Sequence, residues 1–448
     1  MNGDLILHEK IYFIGIGGIG MSALAQYFVD NGAIVTGSDR DVSRVTELLE
    51  KKGIHIVIGQ KAENVPTDAE IIVYSDAVPI DNPERELACE LNIPQLSYFE
   101  MLGEVSKNKK TIAVAGTHGK TTTTGMLAKI LYDAGASPTA IIGSIVKDFS
   151  SNYLHGDSDI FVVEACEYKD HLLELSPQVL VITNLEWDHT DWFPSLEALQ
   201  ETFKKAIERV PADGAIITNP SDKNVALLLA HARARVVDYT KEPAYTLRLP
   251  GEFNVMNARA AAAAARVVLA SVKHSVFDTA KIADSLATFQ GTWRRFEYKG
   301  KNKNGADVYD DYAHHPTAVR ETLKALRAKI REVTLYGNRK VSPRGKIIVA
   351  FHPHLYSRTR DLLNEFAVAF SDADKVFIAP IYAARETDDG SISSEILAER
   401  IRATGTDAVA LDFDAIEKEL TLVGAGDTIM TMGAGDIYKV ADALVAHK

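Results

Sequence analysis

Short apolar runs alternate with longer amphipathic stretches along nearly the whole chain, the rhythm of strand–helix repeats that build parallel sheets. A first unit shows strand-like runs at residues 11–16, 34–37, 71–74 and 95–96. The polar stretch 106–110, SKNKK, predicts a linker. Residues 111–115 then open a second unit with further strands expected at 160–163, 179–183 and 215–218. Its late run from Ala260 to Ala265 is strong helix former rather than linker. A third unit begins near Thr292, with strands expected at 307–309, 347–351, 376–378 and 428–432. The segment 336–345, YGNRKVSPRG, breaks any helix and predicts an exposed basic loop. No fixed-period repeat is evident.

Composition narrows the class. The chain has 448 residues, about three domains at roughly 150 residues each. Hydrophobic residues at 46% and charged residues at 25% suit a globular protein with a substantial core. A formal charge of -12 offers no global attraction to nucleic acid or to an anionic membrane. The two cysteines, Cys89 and Cys166, cannot form a disulfide framework and are expected as free thiols in a reducing compartment. The start, MNGDLILHEK, lacks the features of a signal peptide. No run approaches the ~20 apolar residues that span a bilayer. The expectation is a soluble cytoplasmic protein, a monomer or weak homo-oligomer, without membrane insertion.

Two glycine-rich loops carry the chemistry. Gly15-Ile16-Gly17-Gly18-Ile19-Gly20 follows the first strand and precedes a helical run beginning Met21-Ser22. Glycine allows close backbone approach there, and a helix N-terminus points its N–H groups at phosphate. Asp39 ends the next strand, where a carboxylate can accept a ribose hydroxyl. The second loop, Gly116-Thr117-His118-Gly119-Lys120-Thr121-Thr122, also lies between strand and helix. Val114 stands where strict Walker A spacing would put its first glycine, so this is a shortened P-loop. Its parts survive: amides for phosphate, Lys120 for the β/γ charge, and the Thr121 hydroxyl for Mg²⁺. Two such loops imply two phosphate-bearing ligands, such as ATP and a nucleotide-linked substrate.

Glu164 ends one buried strand and His189 follows another, so both are candidate metal partners of Thr121. Mg²⁺ prefers oxygen, which makes His189 the less comfortable ligand unless a second, imidazole-tolerant ion such as Mn²⁺ is held. Cys166 is expected as a small core residue rather than a nucleophile.

The strings GIGGIGMSALA, AGTHGKTTTT, EACEYK, TNLEWDH, GEFNVMNA, RRFE, DDYAHHPTAV and HPHLYSRT follow one another as in the Mur ligases, and the chain resembles that family over nearly its whole length. The resemblance implies an α/β fold of three domains: a Rossmann-like UDP-sugar domain (1–106), a P-loop-type central ATPase domain (107–291) and a Rossmann-like amino-acid domain (292–448). It implies ATP-dependent joining of L-alanine to the lactyl carboxylate of UDP-N-acetylmuramate through an acyl phosphate. Gly15, Gly17, Gly18, Ile19, Gly20, Met21 and Ser22, with Asp39 and Ser75, would hold the UDP-sugar. Thr117 and His118 would also touch it. Gly116 to Thr122 would cradle ATP, with Lys120 catalytic and with Thr121, Glu164 and His189 at the metal. Asn257 and Arg295 would contact the nucleotide and Asp311 its ribose. His354 and Arg358 would place the amino acid, with Arg358 and His189 assisting the chemistry.

Blander readings stand beside these. Asn257 could cap the alanine-rich helix, Arg295 and Arg358 could be structural pairs, and His314-His315-Pro316 could be a helix start. Trp293 is expected to pack rather than stack on a ligand. Two departures from the family pattern are Phe253, where histidine is usual, and Cys166, where aspartate is usual. No carbamylated lysine is predicted. A tripeptide-recycling ligase on the same UDP-sugar is the near rival. An NAD-dependent oxidoreductase, resting on the first loop alone, and a non-catalytic nucleotide-binding scaffold are the distant ones. Domains joined by polar linkers predict closure on substrate binding.

Overall fold

Runs of β-branched and apolar residues form strands that are buried on both faces, as parallel sheets flanked by helices require. The computed structural model describes residues 8–271, 279–336 and 345–446. The expected basic loop, apart from its two end residues, and the extreme N-terminus lie outside the described residues. The chain divides into two compact units. The first comprises residues 1–185, 199–246 and 256–290, and the second residues 186–198, 247–255 and 291–448.

The first unit carries two sheets. One holds β1 (Lys10–Ile14), β2 (Ile34–Asp39), β3 (His55–Ile58), β4 (Ile71–Tyr74) and β5 (Gln95–Ser97) in the order β3-β2-β1-β4-β5. All of its pairings are parallel. The other holds β6 (Lys110–Ala115), β7 (Thr139–Val146), β8 (Ser151–Leu154), β9 (Ile160–Glu164), β10 (Val179–Ile182), β11 (Ala215–Thr218) and β12 (Arg235–Asp238), in the order β12-β11-β10-β6-β9-β7-β8. Only the edge hairpin β7–β8 is antiparallel there.

The second unit carries β13 (Glu297–Lys301), β14 (Asp307–Asp311), β15 (Ile347–Phe351), β16 (Lys375–Ile378), β17 (Asp407–Ala410) and β18 (Thr428–Met432), in the order β13-β14-β18-β15-β16-β17. Strand alternation divides its core. Ile347, Val349, Phe351, Met430 and Met432 pack on one face, while Ile348, Ala350 and Ile429 pack on the other. The α/β expectation therefore holds in three sheets. Among the described residues no helix is long and apolar enough to cross a membrane.

The linker expected at 106–110 is corrected. Ser106 and Lys107 end the helix Tyr98–Lys107, and Lys110 already opens β6. That helix starts in a capping box, with the Ser97 side chain accepting from Glu100 N–H and the Glu100 carboxylate accepting from Ser97 N–H. Ser106 is fully buried; its hydroxyl donates to Gly103 O and accepts Ser176 N–H. Polar composition alone misread a buried helix end. Replacing Ser97 by Ala should destabilise the protein by about 1 kcal/mol, measured as a lower urea midpoint at unchanged slope; an unmoved midpoint would deny the cap its role.

Candidate functional site

In the first sheet the glycine loop leaves β1 between the ends of β2 and β4, the point where strand order reverses and ligands of such sheets bind. Backbone bonds pin it on both sides: the Gly15 and Ile16 N–H groups donate to Ser38 O (2.9 and 3.0 Å), and Ser75 N–H donates to Ile14 O (3.0 Å). Gly17 N–H donates to Asp39 Oδ2 at 2.7 Å, so Asp39 braces the turn as well as facing it. Gly18 caps the helix Ile19–Asp30 without a side-chain bond. The first-turn amides of Ile19, Gly20 and Met21 are thus the donors this end offers to an anion. Met21 contributes backbone only, since its side chain is buried. Ser22 is a correction. Its N–H is given to Gly18 O and its hydroxyl, fully buried, donates to Ile19 O and accepts from Asn152, which leaves no atom for a ligand.

The second loop leaves β6 between β10 and β9. Thr117 N–H donates to Asn184 O (3.1 Å) and His118 N–H to Asn184 Oδ1 (2.9 Å). Thr183 Oγ1 and Asn184 Nδ2 donate to His118 O (2.6 and 3.0 Å). Thr183 and Asn184 belong to the TNLEWDH string, but sequence reasoning gave them no role. Gly119 takes a left-handed φ of +82°, and a Cβ there would stand 2.1 Å from Asn257 Oδ1. Asn257 lies inside the helix Glu252–Leu269, past its start, so capping is ruled out and its amide lies against the loop. Thr122 is buried in the first turn of the helix Lys120–Asp133.

Lys120 is folded back on its own loop. Nζ donates to Gly116 O (2.5 Å), Thr117 O (3.3 Å) and Glu167 Oε1 (2.8 Å). Burial works to lower its pKa, but the Glu167 carboxylate leads the charges that outweigh it, and the ammonium is held above its ordinary value. Glu167, 1% exposed, is a partner that sequence spacing could not reveal across 47 positions. Thr121 Oγ1 donates to Glu164 Oε1 (3.0 Å), and Gly143 N–H donates to Glu164 Oε2 (2.8 Å). A hydroxyl and a carboxylate side by side form an oxygen donor set that fits Mg²⁺. The Cys166 thiol is pushed up to about 12, chiefly by burial and then by Glu167, which excludes a thiolate nucleophile at neutral pH.

The second unit gathers the remaining candidates. Arg358 is 1% exposed; its Nε donates to Asp188 Oδ1 (2.7 Å) and its NH1 to His354 Nδ1 and O (3.1 and 3.2 Å). Burial alone would raise the Asp188 pKa, but Arg358 and then His189, His315 and His314 hold it well below the usual carboxylate range. Arginine can only donate, so His354 Nδ1 must carry the lone pair and Nε2 the hydrogen. Burial, then Arg358 and Arg385, lowers the His354 pKa to about 3, which keeps this tautomer neutral. Arg358, expected at the amino acid, here spends its Nε and NH1 on Asp188 and His354.

His189 belongs to this unit, with φ +52° and its N–H on its own neighbour's Asp188 Oδ1 (2.7 Å). In the RRFE string, Arg294 and Phe296 both take positive φ (59° and 49°). This turns Arg294 inward, onto Asp310 (2.8 Å) and the carbonyls of Gly433 and Gly435 (2.6 and 3.0 Å). Arg295 instead lies over Tyr312, 4.9 Å from its ring centre. Asp311 spends both oxygens on backbone, accepting from Phe296 N–H (2.6 Å) and Ala313 N–H (2.7 Å). A ribose would therefore meet a carboxylate that already shapes the RRFE turn. Pro316 opens the helix Pro316–Tyr336, and His315 Nδ1 accepts Thr317 N–H (3.3 Å), so HHP is a helix start. Phe253 packs against the apolar core of this unit, an apolar role in place of the usual histidine. Trp293 packs edge-on against Tyr438.

Comparison with known proteins agrees with this layout. Residues 10–110 match the family model described as Mur ligase family, catalytic domain. Residues 114–246 match the Mur ligase middle domain, and residues 294–435 the Mur ligase, glutamate ligase domain. The chain is 40% identical to the UDP-N-acetylmuramate–L-alanine ligase of Acetivibrio thermocellus, covering 98% of this chain and 96% of that protein. It is 36% identical to the ligase of the same name from Clostridium kluyveri, covering 99% of each. The crystal structure of UDP-N-acetylmuramate–alanine ligase from Thermotoga maritima matches with a TM-score of 0.78 at 28% identity, covering 97% of this chain and 98% of that one.

Substituting Gly119 by Ala should strain the left-handed position and displace Asn257. The KM for ATP is expected to rise on the order of tenfold, roughly 1.4 kcal/mol, in a phosphate-release titration; an unchanged KM would show that the loop does not hold the nucleotide.

Proposed function

Because the chain belongs to the Mur ligase family, we propose that it is an ATP-dependent ligase joining L-alanine to the lactyl carboxylate of UDP-N-acetylmuramate, a step of peptidoglycan precursor synthesis. Relatives bearing that activity in their names match it from end to end, which supports the substrate assignment over an oxidoreductase. The observation that carries the chemistry is the shortened P-loop, with Lys120 half-buried against the buried Glu167 and Thr121 bonded to Glu164. These are the parts a phosphoryl transfer needs, and a passive nucleotide-binding scaffold has no use for them.

The lactyl carboxylate oxygen attacks the γ-phosphorus of ATP and the bond to ADP breaks, leaving an acyl phosphate. The alanine amine then attacks the acyl carbon and loses a proton, and the tetrahedral adduct expels inorganic phosphate. Lys120 leaves the Gly116 and Thr117 carbonyls to meet the β- and γ-oxygens, offsetting the repulsion between two anions. Thr121 and Glu164 would hold Mg²⁺, which when bound neutralises phosphate charge. The oxygen donors favour magnesium, and no manganese site is proposed. Asn257 and Arg295 are assigned to the nucleotide, with Asp311 shaping the turn that presents Arg295. In the amino-acid site His354 offers an Nε2–H donor, set by Arg358 and Asp188.

The same proposal divides the chain into a UDP-sugar part (1–106), an ATP part (107–291) and an amino-acid part (292–448). It assigns Gly15 to Met21, Asp39 and Ser75 to the sugar nucleotide, with Thr117 and His118 reaching it from the P-loop. A cytoplasmic location follows from the need for ATP and nucleotide-linked sugar.

Phosphate release with UDP-N-acetylmuramate and ATP should depend on L-alanine and should exceed that with glycine, L-serine or a murein tripeptide. Lys120→Ala should abolish ADP formation. A tripeptide preferred over alanine would turn the assignment to the recycling reaction, and substantial turnover without Lys120 would defeat the mechanism.

A further inference from the structure

The helix that begins at the first glycine loop buries polar residues where an apolar stripe is expected. Ser22 and Gln26, one turn apart on the helix Ile19–Asp30, are 0% and 1% exposed. Buried polar groups persist only where each finds a partner, and here the partners come from β8 of the other sheet in the same unit. Asn152, 2% exposed, donates through Nδ2 to Ile19 O (2.5 Å) and to Ser22 Oγ (2.9 Å). Its Oδ1 accepts from Gln26 Nε2 (3.1 Å), which also donates to Ser22 O (3.0 Å). Ser151 Oγ donates to Gln26 Oε1 (3.3 Å), and Ser22 Oγ to Ile19 O (3.0 Å). Every hydrogen-bonding side chain of the knot is satisfied inside it. An apolar contact between helix and strand could slide by a fraction of a turn, but this one has a single register.

The bond to Ile19 O has a directional effect. The Ile19 carbonyl and the Gly20 N–H belong to one planar peptide. Holding the carbonyl from below fixes the plane, so the Gly20 N–H points out of the helix start toward the glycine turn. A donor on the carbonyl also polarises the same peptide and strengthens its N–H as a donor. The hairpin that supplies Asn152 is fastened at its other strand as well, where Gly143 of β7 donates to Glu164. It thus ties the first-loop helix to the strand that ends in the proposed metal carboxylate.

We propose that Asn152 is a positioning residue for the sugar-nucleotide site, aiming the Ile19–Gly20 peptide of the glycine loop at the phosphate of the bound UDP-sugar. The inference rests on the reading of that loop as the UDP-sugar site and adds a residue from β8 that touches no ligand. Its signature is a split: affinity for the sugar nucleotide depends on Asn152, while nucleotide triphosphate affinity and turnover at saturation do not. Gln26 serves as the internal control, because removing it loosens the knot without cutting the Asn152–Ile19 bond.

The test uses the full-length protein, with KM values from phosphate release, UDP affinity from calorimetry, and thermal midpoints. Asn152→Ala should raise the KM for UDP-N-acetylmuramate about tenfold, with the ATP KM and kcat within twofold of wild type. Asn152→Ser, whose hydroxyl is too short to reach Ile19 O, should do the same and serves if the alanine variant folds poorly. Gln26→Leu should lower the thermal midpoint and leave the sugar-nucleotide KM within twofold. Equal KM rises in the Asn152 and Gln26 variants, or no rise with Asn152 replaced, would overturn the inference. Wild-type protein that fails to bind UDP at all would instead overturn the reading of the loop on which it rests.

Discussion

A carboxylate must be brought against a triphosphate, and like charges about 4 Å apart repel by ~4 kcal/mol at an effective dielectric near 20. On the proposed reading, the groups around the second loop answer that constraint. Lys120 is half-buried, and Glu167 and two loop carbonyls surround its ammonium and keep it charged. An incoming phosphate would, on that reading, replace these carbonyls with a stronger set of acceptors. Glu164 is held through both oxygens, one by Thr121 and the other by Gly143 N–H. Preorganised charge of this kind needs no rearrangement at the moment of transfer.

Parallel sheets explain why the groups lie where they do. Each glycine loop leaves a strand whose two neighbours end beside it, so residues distant in sequence meet at one sheet edge. Ser38 and Ser75 flank the first loop, while Asn184 and Glu164 flank the second. In the second unit Arg358, on the helix after β15, bonds Asp188 of the 186–198 segment across 170 positions, and this gives His354 a defined tautomer. The backbone outliers at Arg294, Phe296 and His189 fall inside the motif strings. Such strain is tolerated where it serves to aim a side chain.

Much of this was legible beforehand, and for physical reasons. Strands such as β4, β11, β15 and β18 are continuous apolar runs bounded by polar breaks, and their limits could be read to the residue. No strand is read from the sequence at β3, β7, β8, β12, β13 or β17. β3, β12, β13 and β17 are short with charged or exposed positions and β8 is short and polar, whereas β7 is long and buried and is simply missed. The two loops were visible because glycine, lysine and threonine at fixed spacing have few other uses. Partners were not visible: Glu167 and Asn184 stood in recognised strings, but their pairing with the second loop is a property of sheet order, which spacing does not encode, and Asp188 meets Arg358 from a segment outside that unit's sheet. Ser22 failed the other way. It sits in the glycine motif, yet helix geometry turns it to the interior, where Asn152 occupies it.

In the proposed reaction Lys120 and its loop let the lactyl carboxylate itself capture the γ-phosphoryl group. Isotope tracing follows that transfer. UDP-N-acetylmuramate labelled with ¹⁸O in the lactyl carboxylate is turned over with ATP and L-alanine, and the released phosphate is analysed by mass. One labelled oxygen transferred to each phosphate is the predicted result. Phosphate free of label alongside amide formation would mean that no acyl phosphate forms, and the account would be contradicted at its base.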